Sequence, residues 1–353
     1  MSTTPTTQTV YRLIGERTSI HTIQPSTEPI PTASKHELLI RIRAVALNYR
    51  DIAISSGQYP FYIKDNVIPC SDASGDVVAV GEGARGFEPG DKVVISFDVA
   101  NLYGPQHDWT TGHGGPIDGM LRQYIAVPAA AVVKITGGAG APQSYSELAS
   151  LVCAGLTAWN GLFGVQALKP GQVALFQGTG GVSINGLLLA KAAGAKTIIT
   201  SSSDEKLAYV QKKFGADHVI NYKTTPDWAS KALELTNGRG VDFVLENGGA
   251  GTIAQSIKAI AFGGVVSVIG FLAQAKQEEM PDVAALAISR GCIVRGVTIG
   301  PVQMLEDLVR FVGNKGLRLP VEKEFGFSRE EVVGAFEYLK SAQHVGKVCI
   351  KVG

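Results

Sequence analysis

Gly178, Gly180 and Gly181 stand in VALFQGTGGVSINGLLLAKAAGAK, between an apolar run of strand length and an alanine-rich run of helix length. Glycines at that spacing let the backbone approach a pyrophosphate, and Val182 and its helical successors offer unpaired amides to the same anion. The chemistry this implies is dinucleotide binding. One residue departs from the pattern. Ser183 stands where a third glycine is expected. That glycine serves close helix–strand packing, so serine reads as a mild loss. The alternative is a glycine turn that binds nothing.

The next strand ends in TSSSDEKL. An acid there accepts both ribose hydroxyls and repels a 2′-phosphate. Ser201 takes its place, followed by Ser202, Ser203 and Lys206. Hydroxyls plus one cation suit a phosphate, so NADPH is expected over NADH. A solvated helix lysine is the alternative for Lys206. Tyr222, in INYK, lies just past the third strand, where it can flank the adenosine end.

Metal chemistry has little to build on. Cys70, Cys153, Cys292 and Cys349 are widely separated and form no CxxC pair, so neither a disulfide framework nor a zinc knuckle is indicated. The segment HDWTTGHGG gathers His107, Asp108 and His113. Its glycines and Trp-Thr-Thr run suit a mobile loop on the substrate side better than a metal cluster, with either histidine free to face substrate.

The elements that must hold these residues change rhythm along the chain. Up to about residue 135, short strands alternate with turns. ELLIRIRAVAL (Glu37 to Leu47) turns Ile40, Ile42 and Ala44 inward and Arg41 and Arg43 outward, a half-buried strand. This predicts a mostly β domain, a partly open barrel. Beyond KPGQ, strand-like runs at Val173–Gln177, Thr197–Thr200, His218–Ile220, Val241–Leu245, Val265–Gly270 and Ile293–Val297 alternate with helical runs. Strands separated by helices predict a doubly wound parallel sheet. After Gly300 one helix (Val302 to Phe311) and strands such as KVCIKV remain, too few for a third domain, so they return to the first. The expected domains are 1–143, completed by 301–353, and 144–300. The apolar edge strand 292–299 predicts a homodimer.

Composition fits this reading. A chain of 353 residues with net charge +1 gives no reason to expect nucleic acid or an anionic membrane surface as partner. Its 42 glycines, against a usual share of roughly 7%, favour tight turns and backbone close to a ligand. No signal peptide, transit peptide or membrane span is evident, so a cytoplasmic location is expected.

With these residues in hand, the chain resembles the medium-chain dehydrogenase/reductase superfamily over essentially its whole length. The likeness rests on LNYRDIAISSGQYP, PCSDASGDVVAVGEGARGFEPGDKV, GGPIDGMLRQYIAVP, LVCAGLTAWNGL, QGTGGVS, TSSSDEKL, FGADHVINY, GRGVDFVLENGG and HVGKVCIKV. It is closest to the zinc-less quinone- and enoyl-reductase-like branch. The resemblance implies a GroES-like β-barrel domain plus a Rossmann domain. In zinc-bearing members the catalytic metal takes a cysteine, a histidine beside an acid, and a second cysteine. The matching positions here hold Asn48, Ser71 beside Asp72, and Cys153, and the four-cysteine lobe of structural zinc is missing. No zinc is therefore expected. The resemblance makes Tyr59, in SSGQYP, the proton donor, and puts Asn48 beside the nicotinamide. It adds Asn247, Ile269, Phe271 and Thr298, at strand ends, as cofactor contacts. Arg50 and Asp51 are assigned to a salt-linked scaffold.

Without a metal, hydrogen bonds alone must polarise the substrate. That suits hydride addition to an α,β-unsaturated carbonyl or a quinone, where a phenol, neutral near pH 7, can protonate the enolate. A metal-free alcohol dehydrogenase or ketone reductase is the runner-up. A non-catalytic dinucleotide-binding protein is the alternative from another class.

Overall fold

The structure is a computed structural model describing residues 5–135, 137, 141–273 and 275–353. In chain order it opens with β1 (Thr7–Leu13), β2 (Ile23–Pro29), β3 (Glu37–Ala46), α1 (Tyr49–Ser55), β4 (Asp72–Val80), β5 (Lys92–Ile95), β6 (Tyr124–Pro128), β7 (Val132–Lys134) and α2 (Tyr145–Ala149). A π-turn (Leu151–Gly155) leads to α3 (Leu156–Phe163). The alternating part follows: β8 (Val173–Gln177), α4 (Gly181–Ala192), β9 (Lys196–Ser201), α5 (Asp204–Phe214), β10 (His218–Asn221), α6 (Trp228–Leu235), β11 (Val241–Glu246), α7 (Ile253–Ala259), β12 (Ile260–Val268), α8 (Val283–Arg290) and β13 (Ile293–Gly296). The chain ends with α9 (Val302–Lys315), β14 (Val321–Phe325), α10 (Arg329–Lys340) and β15 (Lys347–Lys351).

Two compact units result, Met1–Leu156 with Gly300–Gly353, and Thr157–Ile299. The boundary falls at Leu156/Thr157, beyond the expected 143/144, because α2 packs on β3 and β4 of the first unit. Its N-cap Ser144 accepts from the Glu147 N–H, and Ser74 Oγ donates to Tyr145 O at 2.6 Å.

The first unit is built on a seven-stranded sheet with path β14-β15-β3-β4-β5-β7 and β6 paired to β3. The path is open, with β14 and β7 at its ends. β3 explains its centre. Leu38, Ile40, Ile42 and Ala44 are buried on one side of the pleat, as the period of two requires. The C-terminal β15 enters this sheet antiparallel to β3, in the register Cys349↔Ala46 and Ile350↔Val45. That pairing sets residues near 347 against residues near 48, across the whole length of the sequence.

The second unit is a six-stranded, wholly parallel sheet in the order β10-β9-β8-β11-β12-β13. Its central strands read as apolar runs because both faces are covered; Leu175, Phe176, Ile198, Val244 and Val266 are fully buried. The order reverses between β8 and β11. Ligands of such sheets sit beyond the carboxyl ends of the strands at that reversal. Among the described residues no helix is long and apolar enough to cross a membrane.

Candidate active site

In the parallel-sheet unit, β8 ends at Gln177 and the chain turns at Gly178 with φ +77, a left-handed backbone that favours glycine. Gly180 caps α4 with φ −79 and ψ −178. Apart from its chain neighbours, a Cβ added at either glycine would meet no atom of the described residues within 4 Å. At Gly178 the backbone angle accounts for the residue. At Gly180 neither angle nor packing does, and the space beside it is what a bound group would fill. The opening amides of α4, at Gly181 and Val182, lack intrahelical acceptors. These residues fit a dinucleotide pyrophosphate.

Ser183 is more than a mild loss. Its hydroxyl donates to Gln177 O at 2.7 Å and accepts Asn247 Nδ2 at 3.0 Å, tying α4 to two strand ends. The close approach expected of the third glycine is made by Gly186, one helical turn later. A Cβ there would stand 2.6 Å from the Phe176 ring and 3.1 Å from Leu245.

Asn247 also donates to Gln177 O at 3.0 Å, so its amide nitrogen braces the loop. Behind it lies Glu246, fully buried, which sequence reasoning passed over. Its carboxylate accepts from the Gly248 and Gly249 amides at 2.8 and 2.9 Å and from Thr252 Oγ1 at 2.5 Å. It also accepts from Gln177 Nε2 at 2.7 Å and from Ser256 Oγ. The signal was present: an acid closing an apolar strand, directly before Asn-Gly-Gly.

Ser201 closes β9 buried, its hydroxyl accepting the Ser203 N–H at 3.3 Å. Ser203 in turn caps α5 by accepting from Lys206 N–H. Ser202 and Lys206 are half-buried and Tyr222 is exposed. Tyr222 N–H donates to Ser201 O at 3.1 Å. Ile269 N–H donates to Glu246 O at 2.8 Å, while Phe271 and Thr298 are exposed. Gly178, Ser201, Tyr222, Asn247, Ile269 and Thr298 each close or follow a strand of the parallel sheet, which sets them along one edge.

A separate cluster forms in the β unit. Asn48 precedes α1, and its N–H donates to Asp51 Oδ2 at 2.8 Å. β15 runs alongside: Leu47 N–H donates to Val348 O at 2.9 Å. Lys347 Nζ donates to Leu47 O at 2.6 Å and to Asn48 Oδ1 at 2.7 Å. Asp72 Oδ2 lies 3.7 Å from the same nitrogen. The Asp72 carboxylate also accepts Ser71 Oγ at 2.6 Å and Cys153 N–H at 3.1 Å.

Positions 48, 71–72 and 153, which match metal ligands by resemblance, are thus gathered around an ammonium. A catalytic zinc needs three donors of thiolate, imidazole or carboxylate type. Here they are an amide oxygen already engaged by Lys347, a hydroxyl, one carboxylate and one thiol. Burial, with Asp72 beside it, pushes that thiol up to about 12. This donor set does not fit zinc. Among the described residues no group of three or more His, Cys, Asp or Glu is placed to hold a metal.

Arg50 joins this cluster to Tyr59. Its guanidinium lies 4.8 Å from the Phe97 ring centre and 5.3 Å from that of Tyr59. It donates to His113 O at 3.0 Å and stands 3.8 Å from Asp51, the salt link expected of the pair. Burial disfavours the Arg50 charge, but Asp51 and the Tyr59 hydroxyl outweigh it and raise its pKa. Burial pushes the Asp51 carboxyl up to about 6, against the pull of Arg50. Tyr59 meets Phe61 edge-on at 5.4 Å, and Phe61 stacks on Trp109 at 5.0 Å. With Arg50, Phe97, Gly112 and Pro116 these rings line a small cleft.

His113 does not face that cleft. It is buried, with Nδ1 3.0 Å from Asp118 O. Since a carbonyl only accepts, Nδ1 carries the proton, and buried Nε2 has no partner among the described residues. Burial therefore lowers its pKa to about 4, against the Asp118 carbonyl. His107 is exposed. The loop between them is knit by Asp98, which accepts from Ala100 N–H, Gln106 Nε2 and Thr111 Oγ1. An unfolded histidine titrates near 6.5, so the unfolded chain binds this proton first as pH falls. Stability from neutral His113 is complete above about 6.5 and is lost on going down to about 4, on the order of 3 kcal/mol. His113→Gln should flatten urea midpoints across that window, and an unchanged slope refutes the assignment.

Residues 34–137 match the alcohol dehydrogenase GroES-like domain family, and residues 181–314 the zinc-binding dehydrogenase family. The chain is 41% identical over 350 residues to a zinc-type alcohol dehydrogenase-like protein of Schizosaccharomyces pombe, covering 97% of this chain and 99% of that one. It is 27% identical over 337 residues to acryloyl-coenzyme A reductase of Metallosphaera sedula, covering 91% and 93%. A solved structure from Sinorhizobium meliloti 1021 matches with a TM-score of 0.88 at 33% identity, covering 99% of each chain. Two domain matches in the right order and a relative alike from end to end carry one conclusion: the chain is an oxidoreductase of the medium-chain dehydrogenase/reductase superfamily.

Proposed function

We propose that the protein is an NADPH-dependent, zinc-independent reductase of an α,β-unsaturated carbonyl compound or a quinone. The observation that carries this reading is the cluster around Arg50. On one side Arg50 stands by the Tyr59 phenol, and on the other Asn48 puts an amide where zinc-bearing relatives have a metal ligand, in a donor set that does not suit zinc. The likeness to a protein named acryloyl-coenzyme A reductase supports reduction of the C=C bond.

NADPH, when bound, supplies a hydride to the β-carbon. The displaced π electrons move to the carbonyl oxygen, where Asn48 Nδ2 donates a hydrogen bond to the enolate. Tyr59 gives its hydroxyl proton to the α-carbon and regains one from solvent. The name of the S. pombe relative favours a second reading, hydride delivery to a carbonyl carbon. Turnover of an enone with NADPH deuterated at the transferred position separates the two. Label on the β-carbon is expected; label on the carbinol carbon establishes ketone reduction instead. Tight NADPH binding with no turnover of enones, quinones or ketones leaves a non-catalytic binding protein.

The choice of NADPH rests on Ser201, Ser202 and Lys206. Ser201→Asp puts a carboxylate where a 2′-phosphate would bind, and like charges in contact cost several kcal/mol. The ratio of kcat/KM with NADPH to that with NADH should fall by about tenfold or more. A ratio that stays put overturns the phosphate reading.

A homodimer through the edge strand 292–299 is part of the same proposal. β13 ends the parallel sheet, and Ile288 of the neighbouring α8 is 82% exposed. Sedimentation showing a monomer at micromolar concentration removes it.

A further inference from the structure

Lys347 is 2% exposed; its backbone pairs with Val321 of β14 and its N–H donates to Pro320 O at 2.7 Å, which leaves its side chain to be explained. Its ammonium donates to Leu47 O and, beside it, to the Asn48 side chain. A carboxamide has one accepting end and one donating end. Lys347 Nζ sits 2.7 Å from Oδ1; turned over, the amide would set NH₂ against an ammonium, donor against donor. The orientation is therefore fixed by charge. Its consequence is visible at the other end, where Asn48 Nδ2 is buried and meets no protein acceptor among the described residues. A buried donor without a partner is costly unless a ligand completes it.

We propose that Lys347 is a positioning residue: its ammonium grips the Asn48 oxygen and so presents Asn48 Nδ2–H as a fixed donor to the substrate oxyanion, amid positions that match metal ligands but do not suit zinc. Asp72, 3.7 Å away, offsets the charge. The oxyanion rests on the reductase reading above; the grip on the amide does not.

The test combines a signal of the amide with turnover. The Asn48 side-chain NH₂ resonances are identified by their loss in Asn48→Ala. Lys347→Met should shift and broaden them, and should lower kcat for an enone by about a hundredfold, as loss of one preorganised oxyanion donor does. NADPH affinity, read by fluorescence, should hold within about twofold, since the lost contact acts in the transition state. In an Asn48→Ala background Lys347→Met should cost little more, because the two act as one unit. Losses that multiply in the double variant, or amide signals unmoved by Lys347→Met, overturn the proposal. Should Lys347→Met not fold, Lys347→Arg keeps the buried charge with another shape. It must still move the amide signals and kcat, and wild-type values for both overturn the proposal equally. A wild-type protein inert toward every enone, with the amide still responding to Lys347, sinks the reductase reading and leaves the grip standing.

Discussion

Tyr59→Phe lowers kcat for an enone by about a hundredfold or more, the usual contribution of a positioned proton donor, and leaves NADPH affinity unchanged. The substitution is clean because the ring does the packing. Its edge contact with Phe61 involves the ring alone, and the guanidinium of Arg50 lies over that ring as well as beside the hydroxyl. What changes is one hydroxyl, next to a buried cation. Arg50 keeps His113 O and Asp51 as partners, so folding should lose on the order of 1 kcal/mol, the worth of one ordinary hydrogen bond. A solvent deuterium isotope effect on wild-type turnover should diminish in the variant if proton delivery shifts to water. Turnover within about twofold of wild type removes Tyr59 as the acid.

The parts of the molecule legible in the sequence are those encoded locally. The six parallel strands were readable because each is a short apolar run between helical stretches, and β3 because its burial alternates with the pleat. The glycine loop was readable because its function needs missing side chains at fixed spacing. What escaped depended on distance or on partners. Nothing in HVGKVCIKV says that Lys347 will meet Asn48; antiparallel pairing of β15 with β3 decides that. Ser183 was misjudged because the motif assigns a role to a position, while the fold gave packing to Gly186 and hydrogen bonding to Ser183. His113 looked like chemistry in a loop of histidines and glycines. Its burial against Asp118 O, a contact five residues along a folded-back turn, makes it structural. The domain boundary moved for a similar reason, since α2 follows its contacts with β3 and β4 and not the rhythm of the chain.

Gly180→Val weakens NADPH binding by about a hundredfold, near 3 kcal/mol, and barely changes stability. The separation is what gives this substitution its force. Most glycines of a nucleotide loop serve the fold as well as the ligand, so replacing them confounds the two. Gly178 is of that kind, because its φ of +77 strains any branched residue. Gly180 has φ −79 and ψ −178, an extended backbone that valine favours, and apart from its chain neighbours no atom of the described residues lies within 4 Å of an added Cβ. Valine is a poorer helix cap than glycine, which sets the stability cost at about 1 kcal/mol or less. The added methyls would stand in the space that a pyrophosphate needs to reach the amides of Gly181 and Val182. A drop in melting temperature larger than a few degrees would show that the loop is packed more tightly than its geometry indicates. Full NADPH affinity in a stable Gly180→Val protein would falsify the loop as the pyrophosphate site, and with it the assignment of Ser201, Ser202 and Lys206 to the ribose end.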